Sequence, residues 1–170
     1  MPSTVRYRRG VPASPEPSTE PGGRPAIPSD DDVTALVGLR FAGGERKVEH
    51  WENWLLTDCT QRTPMTNRQL HPVVLFHVPI QAASTSIGEI FTVCGGGRAG
   101  SVTLLSYEWE FLGVLSEDVA YRGDGGIISA ERVKAPGGAV THDDVAFAIE
   151  LSEPDGKLVA RVTTRWRFLR

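Results

Sequence analysis

The run His71–Val93 (HPVVLFHVPIQAASTSIGEIFTV), closed by Gly95-Gly96-Gly97, constrains the fold of this chain more than any other stretch. It is several times longer than an ordinary strand. Its His77, Pro79, Gln81 and Glu89 are a polar load that a membrane-spanning helix rarely carries. Strand patterning then continues almost unbroken to Arg170. One buried helix lying on an antiparallel sheet satisfies both observations. The expected class is therefore α+β, a single domain with its long helix on one face of the sheet.

Within the run, Pro72 suits a first helical turn, where its missing N–H costs nothing. Pro79 either kinks the helix or marks its true start, and a kink is expected. Ala82, Ala83, Ser84 and Ser86 keep the middle thin enough to lie close to a sheet, and the three glycines end the helix. Upstream, Asp30-Asp31-Asp32 can cap a turn before Val33–Val37. Leu36–Phe41 reads as an edge strand or lead-in loop, with Gly43-Gly44 as a turn. Over Glu45–Leu56 the spacing of Val48, Trp51, Trp54 and Leu55 predicts a helix that buries that stripe. Thr57–Gln69 is polar and reads as a loop.

Four strands are expected after the glycines. Leu105, Tyr107, Trp109 and Phe111 alternate with polar residues. Val119–Val133 is longer, and Gly123 and Gly125-Gly126 suggest a bulge or bend. Val145, Phe147, Ile149 and Leu151 alternate next, and Pro154-Asp155-Gly156 is a hairpin turn. Finally Leu158, Ala160, Val162, Thr164, Trp166 and Phe168 face one way, with Arg161, Arg165 and Arg167 on the other.

At 170 residues and a net charge of −3, composition implies one ordinary globular domain. There is no basic excess to attract nucleic acid. Two cysteines, Cys59 and Cys94, make neither a disulfide framework nor a four-ligand zinc site. No apolar stretch follows Arg6, Arg8 and Arg9, so no signal peptide is expected and the location expected is cytoplasmic. Residues 1–30 hold seven of the twelve prolines and bury too little apolar surface to order themselves. They are expected to form a disordered arm, leaving 31–170 as the folded domain.

In order and spacing, several segments together resemble the hot-dog superfamily. They are Leu36–Phe41, Lys47–Trp54, His71-Pro72, Tyr107–Phe111, Asp144–Phe147, Asp155–Ala160 and Thr163–Arg167. More narrowly, the chain is similar to the MaoC-like and FAS1-like dehydratases, which include the (R)-specific enoyl-CoA hydratases. The resemblance implies a central helix wrapped by a curved sheet, a homodimer or heterodimer of such units, and an acyl-thioester site near the helix start. It implies no cofactor beyond the coenzyme A or carrier protein that bears the acyl group; from charge and the polar load of the apolar run, no nucleic-acid or membrane partner is expected. The hydratases carry Asp-x-Asn-Pro-x-His before the helix. Here the loop reads Thr57-Asp58-Cys59-Thr60-Gln61-Arg62-Thr63-Pro64, and only Asp58 matches.

The expected activity is hydration or dehydration of an enoyl or 3-hydroxyacyl thioester, with His71 and Asp58 as the acid/base pair. Thr57, Thr60, Asn67, Val73 and Val74 are expected to line the substrate. Two alternatives use the same fold: a non-catalytic partner subunit that binds the thioester, and a thioesterase or tailoring enzyme. His77 is read as a core histidine, Cys94 as a buried residue, and His142-Asp143-Asp144 as solvated. Gly95-x-Gly97-x-x-Gly100 matches a dinucleotide fingerprint but follows a helix rather than a strand, so it is set aside. Arg161, Arg165 and Arg167 form either a solvated sheet face or a basic face for coenzyme A phosphates.

Overall fold

In the computed structural model, which describes residues 27–97 and 100–170, the period-two segments form a single five-stranded antiparallel sheet. Its strands are β1 (Gly44–Lys47), β2 (Val102–Phe111), β3 (Ala120–Lys134), β4 (Val140–Ser152) and β5 (Leu158–Leu169), in the order β1-β3-β4-β5-β2. The alternation resolves as read on the central strands. Val145, Phe147, Ile149 and Leu151 of β4 are buried, as are Ala160, Val162, Thr164 and Phe168 of β5. The β4–β5 hairpin turns at Gly156 (φ 88°), with the Glu153 amide donating to the Lys157 carbonyl. Most of the expected arm, residues 1–26, lies outside the described residues.

The helical layer departs from the single long helix. Pro72–Phe76 is a 3-10 helix, α3 spans Val78–Ala82 and α4 spans Ile87–Val93. Pro79 sits in the first turn of α3 rather than kinking a longer helix, because His77 (φ −130°, ψ −31°) has already left helical geometry. Ser84 then adopts φ 51° and ends α3. Ser86 restarts the chain as an N-cap, accepting from the Glu89 amide at 3.1 Å. The Gly95 and Gly96 amides close α4 by donating to the Thr92 and Phe91 carbonyls, a Schellman pair that needs Gly95 at φ 71°.

The apolar content of the run still does what its composition demands, since Val74, Leu75, Val78, Ala82 and Ala83 are fully buried. They bridge two core clusters. One holds Val48, Leu70, Leu115, Tyr121, Leu151 and Val159. The other holds Ile90, Cys94, Ile127, Phe147, Ile149 and Phe168. Each such aliphatic or aromatic side chain contributes about 1.5–3 kcal/mol by leaving water. The helical layer sits very close to β3. A Cβ at Gly123 would lie 2.4 Å from the Ala82 carbonyl carbon and 2.5 Å from the Ala83 nitrogen. The glycines of β3 thus serve close approach. The register shifts fall elsewhere, between Ile127 and Ser129 and between Val133 and Lys134.

The region before the run is also rearranged. Glu45–Leu56 is not one helix: Gly44–Lys47 is strand β1, and α2 spans His50–Cys59. The face expected to be buried is instead outside. Trp51, Trp54 and Leu55 are 62%, 50% and 50% exposed, whereas Asn53 and Thr57 are buried. α2 turns this way because Asn53 finds three polar partners inside, which the apolar spacing does not register. Residues 30–35 form α1, whose capping residue is Ser29, paired with Asp32 in a capping box.

Asp143, read as solvated, is fully buried. Arg132 donates to both of its oxygens at 2.7 and 2.9 Å, and Arg170 to one at 2.5 Å. Arg170 also donates to the Cys94 and Gly95 carbonyls at 2.7 and 2.8 Å, tying the end of α4 to the sheet. Burial would raise the Asp143 carboxyl, but the two guanidinium groups outweigh it and hold the pKa below the usual aspartate value.

Candidate functional site

The 3-10 helix Pro72–Phe76 is flanked by two histidines, and consecutive residues of α2 face them. At its start, the His71 backbone amide donates to Asn53 Oδ1 at 3.0 Å, and His71 Nδ1 accepts from the Val73 amide at 3.2 Å. The ring therefore carries its proton on Nε2 when neutral. At the far end, His77 Nε2 lies 3.9 Å from Glu52 Oε1.

Asn53 is a hub. Its Nδ2 donates to the Gln69 carbonyl at 3.0 Å and to Glu117 Oε1 at 2.8 Å. Glu117, with a side chain 3% exposed, also accepts from His50 Nδ1 at 2.9 Å and Arg68 Nε at 3.3 Å. Burial pushes this carboxyl up, yet the bonds from Asn53, His50 and Arg68 win and lower its pKa below the glutamate norm. Backbone bonds complete the brace: Leu70 donates to Leu115, Glu117 to Arg68 and Asp118 to Val48. His71 is thus held by a network that spans from α2 to the β2–β3 connection.

The second cluster forms around Glu52. Arg46 Nη2 contacts both of its carboxylate oxygens, at 2.6 and 2.7 Å, and Arg46 Nε donates to Gln81 Oε1 at 2.8 Å. The His77 ring is half-buried. Desolvation lowers its pKa, Glu52 opposes this and Arg46 reinforces it, leaving a net lowering below the usual histidine value. The core-histidine reading of His77 thus gives way to a partly exposed imidazole beside a carboxylate. Its sequence signal was weak, because Arg46 and Glu52 look like ordinary surface charges until strand β1 and α2 fold over the run.

The other expected site residues are scattered in role. Asp58 is exposed on the last turn of α2, not in a loop, and among the described residues its carboxylate makes no hydrogen bond or ion pair, with His71 or any other group. Thr57 is buried on α2, donating to the Asn53 carbonyl at 2.8 Å, and Thr60 donates to the Thr57 carbonyl at 2.7 Å. Both hydroxyls serve the helix end. Asn67 is exposed in a turn at φ 56°. Val74 is fully buried and Val73 partly so. The Val73 amide is taken by the His71 ring, so no free amide cluster opens at the start of this short helix.

Burial pushes the Cys94 thiol up to about 11, which suits a core residue and not a nucleophile. Of the three arginines on the outer face of β5, Arg161 pairs with Glu110 and Glu150 and Arg167 with Asp144. The face is therefore largely neutralised, against the basic reading. A separate cavity of about 210 Å³ lies beside the α3–α4 break, lined by Leu39, Phe41, Ile90, Val93 and Ile127 among others. No group of three or more metal-ligating side chains occurs among the described residues. No helix among them is long and apolar enough to cross a membrane.

Neither a protein-family model nor a curated protein sequence matches the chain. Solved structures do. The chain is similar to the ChsH1-ChsH2 complex from Mycobacterium tuberculosis, at 9% identity over 82% of this chain and 89% of that one, with a TM-score of 0.63. It is similar to the HadBC 3R-hydroxyacyl-ACP dehydratase complex from Mycobacterium tuberculosis (10% identity, 78% and 96% covered, TM-score 0.58). R-hydratase PhaJ1 from Pseudomonas aeruginosa follows at 14% identity, 79% and 82% covered, with a TM-score of 0.50. At these identities the likeness is one of fold. The chain has a hot-dog fold of class α+β, as expected, with its central helix broken into pieces.

Proposed function

We propose that this chain processes an acyl thioester, and that its reaction is addition or removal of water at an enoyl or 3-hydroxyacyl thioester. The observation that carries the reading is the pair of histidines at the two ends of Pro72–Phe76, His71 tied to α2 through its backbone amide and His77 with its ring 3.9 Å from Glu52 of α2. The fold is shared with a protein described as a hydratase and a complex described as a dehydratase. An imidazole neutral near pH 7 can take a proton from water and return it to the α-carbon, which is what hydration requires. The expected pairing of His71 with Asp58 lacks support in side-chain contact, so the acid/base role rests on the imidazoles.

The test is a panel of enoyl-CoA thioesters of graded chain length, followed by loss of the enoyl absorbance. Turnover that falls in the His71→Gln/His77→Gln double variant supports the reading. Absence of turnover throughout, or a double variant as fast as the parent, refutes it.

A second reading, a partner subunit that shapes the site of a catalytic sister, is favoured by the unengaged Asp58 and by the exposed Trp51, Trp54 and Leu55. The free edge of β2, with Leu104 and Phe111 exposed beside it, offers a second subunit a place to pair. Measuring mass in solution and activity alone against activity in mixture separates a self-sufficient homodimer from a heterodimer half.

A further inference from the structure

Of the two imidazoles, we propose that His77 moves the proton, with Glu52 and Arg46 as its positioning residues; this rests on the acyl-thioester reading above. The His71 ring spends Nδ1 on capping its own helix at Val73 and faces no carboxylate among the described residues. The His77 ring has no hydrogen bond on either nitrogen among the described residues, and its Nε2 looks toward Glu52. Its side chain is 33% exposed while that of Glu52 is 15% exposed, so the imidazole is the more accessible of the two groups and the carboxylate the more covered.

The arrangement is braced from three elements. Arg46 from β1 grips both oxygens of Glu52 and, through Nε, the side chain of Gln81 on α3. A separation of 3.9 Å is too long for a hydrogen bond, but a movement of about 1 Å closes it, as catalytic pairs often do when substrate binds. The charged groups that face the ring are Glu52 from α2 and Arg46 from β1. Gln81, on the third element, is uncharged.

The step balances without a co-reactant. His77 takes a proton from water as the water oxygen bonds to the β-carbon of the enoyl thioester. The displaced electron pair moves to the thioester enolate, whose α-carbon then takes the proton back from the imidazolium. Glu52 stabilises the transient cation, and Arg46 keeps Glu52 aligned by contacting both of its oxygens.

The two positioning residues act on the ring with opposite sign. Arg46→Gln removes a neighbouring cation and leaves Glu52 unopposed, so the His77 midpoint rises; Glu52→Gln lowers it. Both are read on the full chain by NMR of the imidazole nitrogens, with His77→Gln assigning the signal. Shifts of the same direction, or none, overturn the cluster. Addition of butyryl-CoA, a saturated thioester that cannot be hydrated, is expected to move the His77 ring signals, and unchanged signals overturn the assignment.

In turnover, His77→Gln is expected to slow kcat by roughly 10²–10⁴-fold. His71→Gln should act far less, and the acid limb of the rate profile should follow the two midpoint shifts. A panel neither hydrated nor bound overturns the thioester reading and this inference with it. Turnover unaffected by His77→Gln overturns the inference alone. Binding that moves His77 without any turnover makes it a binding group and overturns its proton role.

Discussion

Replacing Asn53 probes the network that holds His71. In Asn53→Ala, the Gln69 carbonyl and the His71 amide each lose a partner at 3.0 Å, and Glu117 loses a donor at 2.8 Å. The first two are neutral bonds worth about 1 kcal/mol each, and the bond to a charged acceptor is worth about 2 kcal/mol, giving a loss of about 4 kcal/mol. At a typical urea slope this moves the unfolding midpoint down by roughly 2 M. Asn53→Asp discriminates further. It keeps an acceptor for His71 but sets a second carboxylate beside Glu117, and two such groups resist joint ionisation. The variant pair then has a folded pKa raised above its unfolded value. Its deficit relative to the parent is largest near pH 7 and narrows as pH falls and the pair comes to share a proton. Urea melts of the three proteins from pH 7 downward measure this. A loss under about 1 kcal/mol in Asn53→Ala, or a pH-independent deficit in Asn53→Asp, would show that solvent already satisfies the hub and refute the reasoning.

Two stability predictions concern the sheet. Asp143→Ala strands Arg132 and Arg170, whose side chains are 8% and 4% exposed, and is expected to cost about 3–5 kcal/mol. Because the folded pKa of Asp143 is lowered, its contribution is full above the unfolded value near 3.8 and fades as pH falls through the folded one. Denaturant melts from pH 7 to pH 3 should show the gap between parent and variant shrinking only at the acid end. Gly123→Ala drives a methyl into the Ala82–Ala83 backbone and should cost about 1–3 kcal/mol or more. Gly137→Ala, with nothing within 4 Å of its Cβ, should stay within about 0.5 kcal/mol, and equal effects at the two sites would contradict the close packing of α3 on β3.

Much of the fold was legible because its signal is local. A two-residue period over Val145–Leu151 and Leu158–Phe168 states which side chains face the core, and the turn at Asp155-Gly156 states that the strands pair as a hairpin. The breaks in the helical run were only partly legible. Pro79 marked a discontinuity, but the second break depends on Ser84 in a left-handed conformation, which no property of serine announces. The candidate site was least legible. His71 stood out by its place before Pro72, whereas Arg46, Glu52 and His77 each look ordinary alone.

Composition and periodicity alone therefore determined the class of this protein: a mainly antiparallel sheet carrying one apolar helical layer, closed by glycines. Only the tertiary structure decided which face of α2 turns inward. Trp51, Trp54 and Leu55 have the spacing of a buried stripe, yet Asn53 takes the inside because Glu117 and the His71 amide wait there. The physical reason is one of range. Burying apolar area is non-directional and readable from spacing, but satisfying a buried carboxylate requires donors in particular places. Those donors, His50, Asn53 and Arg68, are brought to Glu117 from distant parts of the chain.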